Sequence, residues 1–329
     1  MGAMHEIKPP ANIIGWQTEE AIGFFNETMS KSGGYYWGRL GGSDYEAVAR
    51  VATLPGKLGN ARFLASKIFG DVKRVRALNG FYDLDMNRVS ETYKRYVGTL
   101  DWAYESADSF FYANQTLIDQ IENGNLSHSS QGRYTQRLIQ GKPILHYGFI
   151  EGIHPFLKSF KEWGEGKKIL VVSPISESLN FQYARKNELL VDYEFPDFEL
   201  ATVNSSITYN DKSDVREGRV LGNHDNWFAE LDDLKSKIQK IDFDVALLSC
   251  GSYAGPLGAW VANELERKAV YFGGVLNVYF NIYGRRYDND FVRSISRPET
   301  QIDAFEASII QNLSGGRSLQ NEALRAYFR

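Results

Sequence analysis

The sequence predicts an α/β fold, a mostly parallel sheet flanked by helices with a helical insertion in its N-terminal half. In the second half, short β-rich runs alternate with amphipathic helices, the pattern of parallel βαβ units. Near the N-terminus, the aromatic stretch Tyr35-Tyr36-Trp37-Gly38-Arg39-Leu40 runs through Gly41 and Gly42 into the mouth of a helix. At 329 residues, 43% hydrophobic and 24% charged, the chain is long enough to bury a sizeable core. A single α/β domain over 1–329 is expected, with a helical subregion at 54–165.

Taken in order, Thr18 to Ser30 has helical apolar spacing and leads into the aromatic strand. After Asp44 a helix is expected to about Thr53, ended by Leu54-Pro55-Gly56. From Lys57 to Arg76 the chain is basic, with Phe63, Leu64, Ile68, Phe69, Val72 and Val75 at approximate helical spacing. This amphipathic region suits either a solvated face over packed apolar residues or contact with a membrane surface or lipid-linked acceptor. Met86 to Ile121 reads as helices carrying Trp102, Tyr104, Phe110, Phe111 and Tyr112, and Asn123-Gly124-Asn125 interrupts them. Lys168–Val172 is a buried strand followed by a helix through about Lys186. Asp244–Ser249 is another, followed by a helix reaching Arg267, and Ala269–Phe272 is a third. Arg297–Arg329 is compatible with a helix, with its role open.

Composition narrows the class. A formal net charge of −4 argues against a protein that chiefly grips nucleic acid. The 14% aromatic content suits sugar stacking and suits a filled core equally. Cys250 is the only cysteine, so no intramolecular disulfide or cysteine metal cluster forms, and a reducing compartment is expected. No apolar run reaches the length of a membrane span, and Met1 to Pro10 has no signal-peptide core. Cytoplasmic residence follows as the expectation, with the basic stretch allowing peripheral contact at the inner face of a membrane.

Chemistry concentrates at Arg39-x-Gly41-Gly42-Ser43-Asp44-x-Glu46. In one reading the glycines let backbone approach a ligand, and the Asp44 and Glu46 carboxylates bind Mg²⁺ or Mn²⁺ that bridges to a diphosphate. In the other, Ser43 to Glu46 is a capping box. Residues two apart on a regular helix do not share a face, so the metal reading needs an irregular turn. The loops Ser173-Pro174-Ile175-Ser176-Glu177 and Gly251-Ser252-Tyr253 follow predicted strands. Ligands of open α/β sheets sit at the carboxyl ends of strands, so these loops and the Arg39–Glu46 turn are candidates for one crevice. Free amides at helix starts there would suit a phosphate; each loop also reads as ordinary capping and chain reversal. Neither is a dinucleotide fingerprint or a P-loop. His146, His154 and His224 show no metal-ligand spacing and read as structural. Glu151 and His154 are weaker candidates to line an acceptor groove. Cys250 reads as a small buried residue.

Arg39-x-Gly41-x-x-Asp44-x-Glu46, Leu248-x-x-Gly251-x-x-Ala254-x-x-Leu257 and Gly273-Gly274-Val275-Leu276-Asn277-Val278-Tyr279-Phe280 together resemble the GT-D class of glycosyltransferases. The resemblance covers Tyr35 to Glu46 and Lys168 to Tyr287. It implies a Rossmann-like nucleotide-binding fold, a D-x-E motif associated with Mn²⁺ or Mg²⁺, and transfer from a nucleotide sugar, UDP-sugars being favoured. The acceptor it implies is a glycan, lipid-linked or glycoprotein molecule in bacterial surface-polysaccharide synthesis. On this basis Asp44 and Glu46 are the catalytic and metal residues, with Glu46 a second ligand or the general base. Arg39, Gly41, Gly42, Ser173, Ser176, Glu177, Gly251, Ser252, Tyr253, Asn277 and Arg286 would hold the donor. Arg285 and Arg286 add charge near the donor or an anionic acceptor, or form a solvated pair. The family commonly has Gly-Asp-Gly-Glu, whereas this chain has Ser43-Asp44-Tyr45-Glu46. A Tyr45 ring filling the donor pocket would favour the alternative of a noncatalytic nucleotide-sugar or glycan-binding protein. A different transferase or phosphohydrolase using the same carboxylates is a third reading.

Overall fold

A computed structural model describes residues 13–14, 19–40, 43–52, 80–85, 87–112, 115–123, 130–208 and 224–306. The fold is α/β, with eight parallel strands in one sheet of order β1-β4-β3-β2-β8-β7-β5-β6. The strands are β1 Ile13–Ile14, β2 Tyr35–Leu40, β3 Ser109–Tyr112, β4 Ile144–His146, β5 Lys168–Ser173, β6 Glu199–Asn204, β7 Val245–Leu248 and β8 Lys268–Tyr271. Among the described residues the α-helices are α1 Glu19–Ser30, α2 Ser43–Ala52, α3 Val89–Glu105, α4 Gln115–Glu122, α5 Ser130–Ile139, α6 Gly148–Glu151, α7 His154–Trp163, α8 Ser176–Tyr183, α9 Trp227–Ile238, α10 Ala254–Glu264, α11 Leu276–Tyr279 and α12 Asp290–Ile295.

Side-chain alternation along the strands builds a core on each face. Tyr36 and Leu40 of β2, Phe110 and Tyr112 of β3, Leu170 and Val172 of β5 and Ala246 and Leu248 of β7 join the helices α2, α3, α5, α9 and α10. Trp37, Phe111, Ile169, Val171, Val245 and Leu247 join α1, α7 and α8 on the opposite face. Strands covered on both sides read as continuous apolar runs, and β5, Lys-Ile-Leu-Val-Val-Ser, is such a run. α1 turns Ala21, Ile22, Phe25 and Met29 inward. Its Thr28 hydroxyl accepts a hydrogen bond from the Trp37 indole at 3.0 Å, and the Trp37 ring stacks on Phe111 with centroids 4.7 Å apart. α9 begins where Asn226 accepts from the amides of Phe228 and Ala229, both at 3.0 Å, which satisfies donors that a helix start leaves open.

Connections that run from β2 to β3 and from β7 to β8 cover one face, while that from β5 to β6 covers the other. Connections of opposite direction must use opposite faces if every crossover keeps the same hand. The outcome for function is that every strand ends at one edge of the sheet, and the loops after β2, β8, β7 and β5 lie side by side there.

The helical reading of Met86–Ile121 needs correcting. α3 and α4 flank a strand, β3, and β4 lies further along the segment expected to be helical; both pair into the sheet. The run Ser109-Phe110-Phe111-Tyr112 is buried on every residue, so no polar alternation marks its period of two, and a short apolar run of this kind cannot be told from helix by spacing. The basic stretch Lys57–Arg76 and most of Arg297–Arg329 lie outside the described residues.

Gly34, immediately before β2, has no room for a side chain: a Cβ there would stand 1.9 Å from the Ala262 carbonyl oxygen of α10. Because the obstacle is backbone, Gly34→Ala is expected to destabilise the fold by about 1–3 kcal/mol, read from urea midpoints; an unchanged midpoint would mean that α10 is not fixed against β2 in this way.

Candidate functional site at the carboxyl edge of the sheet

Strand parity puts Arg39 on the same face of β2 as Trp37. Its guanidinium carbon lies 4.2 Å from the centroid of the Tyr147 ring, a cation–π distance. Glycine is required opposite: Gly273 has φ +70°, and a Cβ on it would stand 2.5 Å from Arg39 Nη1. Tyr147 is fixed in turn, its hydroxyl donating to the Phe272 carbonyl at 2.8 Å. Among the described residues the buried Arg39 Nε has no hydrogen-bond partner. Burial opposes the charge of Arg39, but the surrounding oxygens of Tyr147, Tyr287, Tyr271 and Glu151 outweigh it and keep the group protonated. A permanent cation, its Nε unused among the described residues, is thus built into the sheet edge.

Asp44 is 7% exposed, in the first turn of α2. Burial raises its pKa above the ordinary 3.8, against the opposing pull of Arg39, the Tyr104 hydroxyl and nearby backbone amides. The Tyr271 hydroxyl lies 3.3 Å from Asp44 Oδ2 and 3.1 Å from the Gly251 carbonyl oxygen. A phenol has one proton to donate, so it serves one of these acceptors at a time. It nevertheless ties the loop after β2 to the loop after β7, with the ring of β8 between them. The Arg39–Glu46 turn and the Gly251 loop therefore meet, as the sequence suggested. Tyr271 itself was not singled out, because a tyrosine ending an apolar strand carries no signal beyond core packing.

Other candidates fall in different places. Gly251 adopts φ +59°, the left-handed region that favours glycine. Its neighbours turn inward: Ser252 Oγ accepts from the Trp227 indole at 3.1 Å, and the Tyr253 ring stacks on Trp227 at 4.9 Å. Asn277 is buried at the start of α11, and Ser173 is buried at the end of β5. The start of α8, expected to offer amides to a phosphate through Ser176 and Glu177, is already filled. Glu306 accepts from the amides of Glu177 at 2.9 Å and Ser178 at 3.3 Å, and from the Ser178 hydroxyl at 2.5 Å. Arg286 is exposed, 5.5 Å above the Tyr287 ring, and its charge acts on Tyr147, Tyr287 and Glu151. Gly41, Gly42 and the side chains of Ser43 and Glu46 lie outside the described residues.

Two features bear on the metal and binder readings. α2 is helical from Ser43, with Asp44 in its first turn. Tyr45 does not turn to the sheet edge. Its ring packs on Tyr104 and Tyr134, and its hydroxyl pairs with Thr135 in the core between α2, α3 and α5.

The histidines divide. His146 Nδ1 accepts from the Gly148 amide at 2.9 Å, and burial lowers its pKa. His154 is exposed beside Phe291. His224, Glu230 and Asp233 gather with ligand atoms within 4.8 Å of one another, a grouping that sequence spacing did not reveal because His224 precedes α9. Asp233 is already paired with Lys237 at 2.6 Å and Glu230 with the hydroxyls of Ser206 and Tyr82. Cys250 is buried, and burial raises its pKa, as expected of an inert thiol.

A carboxyl whose folded-state pKa is raised favours the fold when protonated, and that contribution is lost as pH rises from near 3.8 through the raised value. Asp44→Asn removes the buried charge. It is expected to raise the thermal midpoint near pH 7 and to change it little near pH ~3, where both side chains are neutral. A lower midpoint near pH 7 would show that Arg39 overcompensates the burial of the carboxylate.

Compared with known proteins, the chain matches no family model, no curated protein and no solved structure.

Proposed function

We propose that the chain is a glycosyltransferase that moves a sugar from a nucleotide-sugar donor, a UDP-sugar being favoured, to a hydroxyl-bearing glycan, lipid-linked or glycoprotein acceptor. The observation that carries this reading is Arg39, a partly buried guanidinium held by Tyr147 and Gly273 at the carboxyl edge of a parallel sheet. Open α/β sheets bind ligands at that edge. A departing nucleoside diphosphate needs a fixed positive charge in a partly desolvated place, where electrostatic stabilisation acts most strongly.

Arg39 is assigned to the diphosphate, with Arg286 adding charge from the exposed rim. Asp44 orients the donor through Tyr271 and the Gly251 loop. Mn²⁺ or Mg²⁺, when bound, would sit at Asp44 and neutralise phosphate charge. The inward packing of Tyr45 supports the transferase over the noncatalytic binder, because its ring leaves the edge of the sheet unfilled. Surface-polysaccharide or glycoconjugate synthesis is the setting that such a donor and acceptor imply. Among the described residues no helix is long and apolar enough to cross a membrane; contact with a lipid-linked acceptor would then be made at the membrane surface.

The test is a thermal-shift screen against UDP-, GDP-, dTDP- and CMP-sugars with Mn²⁺, Mg²⁺ or chelator, followed by assay of released nucleotide. A stabilising shift confined to one nucleotide class, with turnover that needs an acceptor, is expected. Binding without turnover would point to the binder. Acceptor-independent release of inorganic phosphate would point to a phosphohydrolase.

A further inference from the structure

Glu151 lies at the same edge of the sheet, in the turn that follows β4 and Tyr147, the ring against Arg39, and its mounting is unusual. It is the last residue of α6, a single turn of helix. The first amide of that turn, Gly148 N, donates to His146 Nδ1 at 2.9 Å, and the amide of Glu151 donates to the Tyr147 carbonyl at 3.0 Å. The Tyr279 hydroxyl donates to the Ile150 carbonyl at 2.5 Å.

Two residues further on, Ile153 adopts φ 61° and ψ −60°, and the His154 amide reaches back to the Gly152 carbonyl at 2.7 Å. This is the strained hand of the γ-turn, carried by a β-branched residue for which positive φ is a true outlier. Ile153 is fully buried, so core packing enforces the turn. Strain of this kind persists only where the surroundings over-determine it, and it gathers at functional sites.

The carboxylate so mounted is partly buried. Arg39 and Arg286 are the charged groups that act on it, and its charge in turn acts on the phenols of Tyr147, Tyr279 and Tyr287. Among the described residues no cation stands within 4.0 Å of it, so it is not consumed in an ion pair.

We propose that Glu151 is the general base of the transfer reaction, an inference that rests on the glycosyltransferase reading above. Its carboxylate takes the proton from the acceptor hydroxyl. The acceptor oxygen forms a bond to the anomeric carbon as the bond from that carbon to the diphosphate oxygen breaks. The electron pair leaves with the nucleoside diphosphate, whose charge falls to Arg39 and Arg286, and Glu151 afterwards releases its proton to solvent. Water as acceptor follows the same steps. Burial raises the pKa of Glu151 against the pull of Arg39 and Arg286, which strengthens it as a base.

The experiment measures UDP release from UDP-glucose, with water as acceptor, by the wild type, Glu151→Gln and Glu151→Asp, each with Mn²⁺. Thermal midpoints and UDP affinity are measured in parallel. Glu151→Gln is expected to lose about 10²- to 10⁴-fold in turnover with UDP affinity and midpoint retained. The wild-type rate should fall on the acid side of a single ionisation above the ordinary range of Glu, a limb that Glu151→Gln lacks, and Glu151→Asp should recover part of the rate with the limb restored. Equal turnover by wild type and Glu151→Gln, or the same acid limb in both, would overturn the role of Glu151 alone. A wild type that binds UDP-glucose and releases nothing, or does not bind it, would overturn the transferase reading for this donor and this inference with it.

Discussion

The partly buried guanidinium of Arg39 is the constraint on which the arrangement of the sheet edge depends. A charge removed from water is costly unless its surroundings answer it, and here they do so by shape as well as by charge. Gly273 leaves out the side chain that would strike Nη1, the Tyr147 ring lies against the cation, and the Tyr147 hydroxyl is anchored on the Phe272 carbonyl next to Gly273. Strands β2 and β8, the start of α6 and the turn after β8 are thereby committed to one another. The cation remains under-coordinated at Nε among the described residues.

Sheet topology supplies the rest. Because every strand is parallel, the loops after β2, β8, β7 and β5 open on one edge, and the Tyr271 hydroxyl stands between Asp44 and the Gly251 carbonyl to join two of them. The loop after β5 is closed differently, by the Glu306 carboxylate on the amides of Glu177 and Ser178. The edge therefore has a cationic half at β2 and β8, with Arg39, and a self-satisfied half at β5.

The α/β class was legible because strands such as β5 and β7 are apolar, short and followed by helices, and the turn at Arg39–Glu46 announced a strand entering a helix. β3 and β4 were hidden, since short strands such as Ser109–Tyr112, buried on both faces, lose their alternation. Arg39, Asp44 and Gly251 could be picked out from glycine-rich turns. Ser252 and Tyr253, in the same turn, face the core, because a sequence shows which residues share a loop but not which way each points. Tyr271, Gly273 as the partner of Arg39, and the strained mounting of Glu151 depend on contacts between distant segments, and Glu306 reaches α8 from 128 residues away. No local pattern carries such information.

The most direct test of the account is calorimetric binding of UDP to the wild type and to Arg39→Met, with folding of both checked by circular dichroism. If this guanidinium is the diphosphate anchor, the variant remains folded and loses about 10- to 100-fold in affinity, the worth of a charge-assisted hydrogen bond. Wild-type affinity in a folded Arg39→Met protein would contradict the account and place the nucleotide elsewhere.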